Sequence, residues 1–188
     1  MKKIKLSLSI VCLLVAIDSY SQDTPTTIKP NKLNTTIGLG VGLDYGGIGA
    51  NILYYPVDQI GLFAGVGYAF AGAGYNVGAK FRLNAKKDSP KISPYLMGMY
   101  GYNAAIAVKN ASNFNKLFYG PTFGFGVDFK PKDKGRNGYW SLALLVPIRG
   151  SDVDQYIEYL ENNNNIEFQN GLLPIGFSIG YRIKIDWF

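Results

Sequence analysis

Seven ionisable side chains recur at even spacing: Lys80 and Arg82, Asp128 and Lys130, and Arg182, Lys184 and Asp186. Residues two apart on an extended strand share a face, so each group projects to one side of its strand. Five cations and two carboxylates brought together could bind an anion, line a narrow polar pore, or pair into a charged plug. Buried charges must be paired or hydrated, which favours the plug in a space that side chains fill. A second set lies in residues 149–171, where Asp152, Asp154, Glu158, Glu161 and Glu167 face a single Arg149. Ser151 is placed to cap a short helix running to about Leu160, with Val153, Tyr156, Ile157 and Leu160 on one side. Such a segment is either a solvated lid or a contact surface for a partner or a divalent cation. An Asp-x-Asp pair alone is too common to specify calcium, and no metal site is assigned.

Catalysis lacks its usual parts. The chain has no histidine, the commonest general base and metal ligand. Its one cysteine, Cys12, lies in the N-terminal apolar run. No carboxylate pair projects toward a cleft, so the expectation is a non-enzyme without cofactor. The glycines of "GLGVG" repeat at period two and complete neither a dinucleotide nor a phosphate-loop motif, which makes them strand residues. "NTT" at 34 and "NAS" at 110 match glycosylation sequons that are frequent by chance.

These side chains need a scaffold, and the N-terminus says where it is built. Met1 to Lys5 carry three lysines, Leu6 to Ile17 are largely apolar, and Ser19-Tyr20-Ser21 offers small residues for cleavage before Gln22. This is the pattern of an export leader, 1–21, and twelve residues fall short of the roughly 20 that cross a bilayer as a helix. Removing the leader's three lysines and one aspartate from the net +6 leaves a mature chain near +4. That mild excess, without a basic stripe, points to no nucleic-acid partner.

From residue 33 onward the pattern has period two. Eight candidate strands lie near 33–45, 47–55, 60–70, 73–84, 92–108, 117–130, 139–148 and 176–188. In the fourth, Tyr75, Val77, Ala79, Phe81 and Leu83 alternate with Gly74, Asn76, Gly78, Lys80, Arg82 and Asn84. The fifth cannot be phased, because both of its rows are largely apolar. Eight such segments separated by turn residues indicate an all-β antiparallel meander, and closure into a barrel removes its sticky edges.

One face of this barrel is aliphatic and aromatic, the other glycine and charge. Charges deep in the strands, glycine where a wet surface would carry Lys, Glu and Thr, and banded aromatics together put the apolar face outward. Tyr54, Phe81, Phe129, Trp140 and Trp187 fall at one end, and Tyr45, Tyr68, Phe70, Tyr75 and Tyr119 at the other, as two girdles flanking an apolar band. A soluble calyx with the apolar face inward does not predict such banding.

Leader, eight alternating strands and aromatic C-terminus together resemble the small eight-stranded outer-membrane barrels of Gram-negative bacteria, the group of the OmpA transmembrane domain, OmpX and OmpW. The resemblance covers 33–188 as architecture. It implies a transmembrane up-and-down barrel after a periplasmic lead, 22–32. Both termini and short turns near 56–59, 85–91 and 131–138 would be periplasmic, with loops near 46, 71–73, 109–116 and 149–171 outside. Phe188, with Trp187 and Tyr181, is similar to the signal read by the barrel-insertion machinery, but offset by one residue. Outer-membrane lipid, that machinery and an extracellular contact at 149–171 are the expected partners. The function implied is a structural or interaction barrel with a plugged lumen. The alternative is a narrow channel or binding barrel for small or apolar solutes, with a cavity near Gly40, Gly42, Gly67, Gly74 and Gly124.

Overall fold

The computed structural model describes residues 34–84, 91–108, 111–131, 137–164 and 172–185. Eight strands form one closed antiparallel barrel in chain order. They are β1 (Asn34–Gly42), β2 (Gly47–Val57), β3 (Ile60–Tyr68), β4 (Ala73–Arg82), β5 (Ile92–Ile106), β6 (Lys116–Phe129), β7 (Gly138–Pro147) and β8 (Gly176–Ile185). Closure is made where β8 returns to β1, from Thr35 opposite Ile185 to Val41 opposite Ile179. The all-β, eight-stranded, up-and-down barrel expected from the alternation is therefore the fold. No described helix is long and apolar enough to cross a membrane, which says nothing about strands.

Parity decides the faces. Leu39, Val66, Val77, Phe123 and Ile183 stand outward and more than half exposed, while their neighbours in sequence turn inward. The fifth strand is phased by its partners. Met97 lies opposite Lys80 on β4 and Gly124 on β6, both inward positions, so Tyr95, Met97 and Met99 point in, while Leu96 and Tyr100 point out. The interior is accordingly more than glycine and charge. Leu53, Tyr55, Phe63, Tyr95, Met97, Met99, Ala143 and Leu145 form a continuous apolar cluster inside it. Large side chains on one wall fill the room left by small ones on another, as close packing requires.

The wall is uneven in height. β4 pairs with β5 only as far as Gly101, and β7 with β6 only as far as Thr122. The ends of β5 and β6 beyond these points pair with each other alone, so this hairpin rises above the rim. A register shift between Tyr102 and Ala104 keeps Ala104 and Ile106 on the inner side. Against them and Phe118 packs helix α1 (Ser151–Asn164), through Val153 and Leu160, with Tyr156 and Ile157 alongside. The expected apolar side of this helix is the one it buries, and the helix runs about a turn past Leu160. Asp152 and Asp154 occupy its first turn, where the helix dipole favours negative charge.

β3, β4 and β5 each end two residues short of expectation, and the limits of β1 and β2 differ for local reasons. β1 stops at Gly42, because the chain turns inward there. β2 runs past Pro56 to Val57, with a register shift between Tyr54 and Val57 that accommodates the missing N–H.

Candidate functional site

The barrel interior begins with a plug made from the β1–β2 connection. Leu43–Tyr45 form a single 3-10 turn, released by Gly46 at φ 70°, a left-handed conformation that glycine adopts without cost. The turn folds into the barrel, so that Tyr45 is 0% exposed. Its backbone polar groups find side-chain donors in the wall. Asn51 Nδ2 donates to the Asp44 carbonyl at 2.6 Å, and Asn76 Nδ2 donates to the carbonyls of Leu43 at 2.6 Å and Tyr102 at 2.9 Å. Ser178 Oγ donates to the Asp44 carboxylate. Arg182 then clamps the turn from below, donating from Nη1 to Tyr45 Oη at 3.3 Å, from Nη2 to Asn51 Oδ1 at 2.8 Å and from Nε to Thr36 Oγ1 at 3.1 Å.

The glycine face is the socket for this turn. A β-carbon at Gly40 would come within 2.8 Å of the Tyr45 ring, and one at Gly67 within 2.5 Å of the Tyr45 carbonyl. One at Gly180 would overlap the Tyr45 hydroxyl. Most of the cavity expected near Gly40, Gly42, Gly67, Gly74 and Gly124 is thus occupied, by the turn at Gly40, Gly67 and Gly74 and by Leu145 and Met97 at Gly124, while Gly42 lines an open cavity at the mouth. Tyr45 also departs from its expected place. It is not a girdle residue, because the turn carries it off the strand's alternation and into the interior.

Below the plug lies a buried ion pair. Lys80 Nζ stands 2.8 Å from Asp128 Oδ1, with the side chains 5% and 0% exposed. Ser141 Oγ donates to the same carboxylate oxygen at 2.8 Å and lies 3.0 Å from Tyr95 Oη. The Lys80 ammonium also sits 3.4 Å from the centroid of the Tyr95 ring, a cation–π contact. Between plug and pair, a cavity of about 10 Å³ is bordered by Asp44, Asn51, Lys80 and Arg182. That is the room needed for about one water molecule.

The remaining members of the expected charge cluster do not join the pair. Arg182 serves the turn, as described. Arg82 stacks on the Tyr55 ring at 3.5 Å. Lys130 lies one residue beyond β6, half-buried, and burial pulls its ammonium down to about 8, with Arg82 and Lys184 adding repulsion and Asp128 opposing it. Lys184 keeps the inward parity but is exposed at the rim. Asp186 lies outside the described residues. Among the described residues, Lys80–Asp128 is the one ion pair, so the seven charges form a pair with satellites rather than a single network.

The interior also uses residues that sequence reasoning passed over: Asp44, Asn51, Asn76, Tyr95 and Ser141. Alternation in the fourth segment already put Asn76 on the inward row. The signal for the folded-in turn was the pair Gly46-Gly47 after "LDY", where a strand would not carry two glycines in succession.

On the outer surface, Tyr54, Phe81, Phe129 and Trp140 face outward toward the terminal end, and Tyr68, Phe70, Tyr75 and Tyr119 toward the mouth. Trp140 meets Tyr181 edge-on at 5.2 Å, and Tyr75 lies 5.0 Å from Tyr119. Trp187 and Phe188 lie outside the described residues. On α1, Asp152, Asp154, Glu158 and Glu161 are exposed, and Glu167 lies outside the described residues.

No protein-family model and no curated protein matches the sequence. Among solved structures, the chain is similar to the N-terminal beta-barrel domain of Pseudomonas aeruginosa OprF, at 11% identity and a TM-score of 0.48, over 81% of this chain and 97% of that one.

Proposed function

We propose that the protein is an integral outer-membrane barrel of a Gram-negative bacterium, non-enzymatic, with a structural or interaction role and a closed lumen. The observation that carries this is the direction of its faces. The outward rows of all eight strands are large, apolar and exposed, whereas Lys80, Asp128, Asp44 and Arg182 are buried within. A soluble monomer rarely exposes a contiguous apolar patch of more than a few hundred Å², and a band encircling a whole barrel exceeds that. Hydrocarbon is the solvent that suits it.

The plug and the buried pair support closure to solutes, since the space between them is about one water in size. The exposed carboxylates of α1 at the mouth support a contact role outside the cell, toward a partner with basic groups. The chain's lack of histidine argues against the base-dependent hydrolytic chemistry of membrane barrels.

Two measurements test the reading. Refolded into lipid vesicles, the protein should become resistant to carbonate extraction and migrate differently on gels before and after boiling. In planar bilayers it should give no reproducible conductance steps. A water-soluble monomer in the absence of amphiphile overturns the membrane assignment, and regular steps overturn the closed lumen.

A further inference from the structure

The barrel carries a second concavity, above the plug rather than within it. A cavity of about 610 Å³ opens at the mouth, floored by Leu43 and Gly176 and walled by Tyr102, Leu172 and Leu173. This lies within the size range of small-ligand sites. Its lining is mainly apolar, and its rim includes Phe70 and Phe177, among the most exposed aromatics of the chain. Phe70 is held at φ 58°, the one described non-glycine residue with positive φ. That strained backbone geometry marks a constrained position beside the cavity.

Among the described residues, the single charged side chain lining this cavity is Arg149. Its Nε is buried without a hydrogen-bond partner, and Nη1 reaches only the Leu172 carbonyl, at 3.5 Å. Asp154 of α1 is near enough to act on its charge but forms no ion pair with it. A buried donor left unpaired is costly, and an entering anion would relieve it.

The cavity is also open sideways. On this flank the wall is low, because β1 ends at Gly42 and β8 begins only at Gly176. Outward-facing Val41, Ile48 and Phe177 line the same cavity as inward Leu43, so it runs continuously from the barrel's apolar exterior to its mouth.

We propose that this vestibule binds a single-chain fatty acid, its acyl chain on the floor of Leu43 and Gly176 and its carboxylate on Arg149. One cation, partly offset by Asp154, matches a monoanion better than a multiply charged lipid headgroup. The lateral entry rests on the membrane reading, whereas the site itself does not.

The test uses the full mature protein held in amphipol, with laurate and 1-dodecanol as probes in equilibrium dialysis. Wild type should bind both saturably, one per barrel. Arg149→Gln should weaken laurate about tenfold or more while leaving dodecanol within about twofold, because only the carboxylate loses a charge-assisted hydrogen bond. Gly176→Phe should abolish both. A β-carbon at Gly176 meets its nearest neighbour, Leu43, at 3.6 Å, so the backbone tolerates the change while the ring fills the floor. Boiled and unboiled gel migration confirms that each variant is folded. Equal, non-saturating uptake by all three proteins, adsorption to the outer band only, overturns the proposal, as does laurate binding that Arg149→Gln leaves unchanged. Failure to insert into vesicles, with saturable laurate binding intact, overturns the membrane reading instead.

Discussion

Replacing Asp128 with Asn tests how the interior is held together. Asp128 is 0% exposed and receives Lys80 and Ser141 on one oxygen, each at 2.8 Å. The substitution keeps size and removes charge. Lys80, itself only 4% exposed, is then left with the Tyr95 ring and with Ser141 at 3.3 Å. A cation–π contact at a desolvated site is worth about 2 kcal/mol, short of what an unpaired buried ammonium needs. Breaking one partner of a buried pair costs about 3–5 kcal/mol, which sets the expected loss. Substituting Lys80→Met and Asp128→Leu together removes both charges and should return stability to within about 1 kcal/mol of wild type, or above it. Urea unfolding of the barrel in lipid vesicles, followed by tryptophan fluorescence, measures all three proteins. A single-variant loss under about 1 kcal/mol, or a double variant no better than Asp128→Asn, would refute the claim that the pair is desolvated and self-contained.

Further outcomes follow from the same packing. Gly49→Ala should cost about 1–3 kcal/mol in that assay, since its β-carbon would press on the carbonyls of Val66 and Tyr45, whereas outward Gly98→Ala, which meets only the Phe123 ring at 3.5 Å, should stay within about 0.5 kcal/mol. Leu160→Ala should weaken docking of α1 on Phe118 and Ile106 by about 2–5 kcal/mol, read as faster amide exchange over 151–164 with the strands unchanged. Lys130 releases its proton near pH 8 when folded and near its ordinary 10.5 when unfolded, so the unfolded state holds more protons between these values and this group makes stability rise with pH across that window. Lys130→Met should flatten that rise relative to wild type in urea titrations at pH 7.5, 9 and 10.5.

Much of the architecture can be read from residue order because strand alternation is a local property. Two neighbours on a strand point opposite ways whatever else the chain does, so Lys80, Arg182 and Asn51 could be assigned inward from their own segments. The same rule failed on β5, where Met97 and Leu96 are equally apolar. There the phase came from β4 and β6, whose inward residues Lys80 and Gly124 stand opposite Met97. It failed again at Tyr45, because a 3-10 turn breaks the alternation within three residues.

What the sequence determined by itself is the strand number and, in every strand but β5, the direction of each row, both consequences of period-two chemistry within a segment. Which inward groups meet was decided only by the closed barrel. Lys80 reaches Asp128 across 48 residues, and Arg182 reaches Asn51 across 131, from strands that are not neighbours in the sheet. Those contacts depend on the stagger between strands and on the space across the interior. Neither quantity resides in a single segment, so alternation could place each charge inside without assigning its partner.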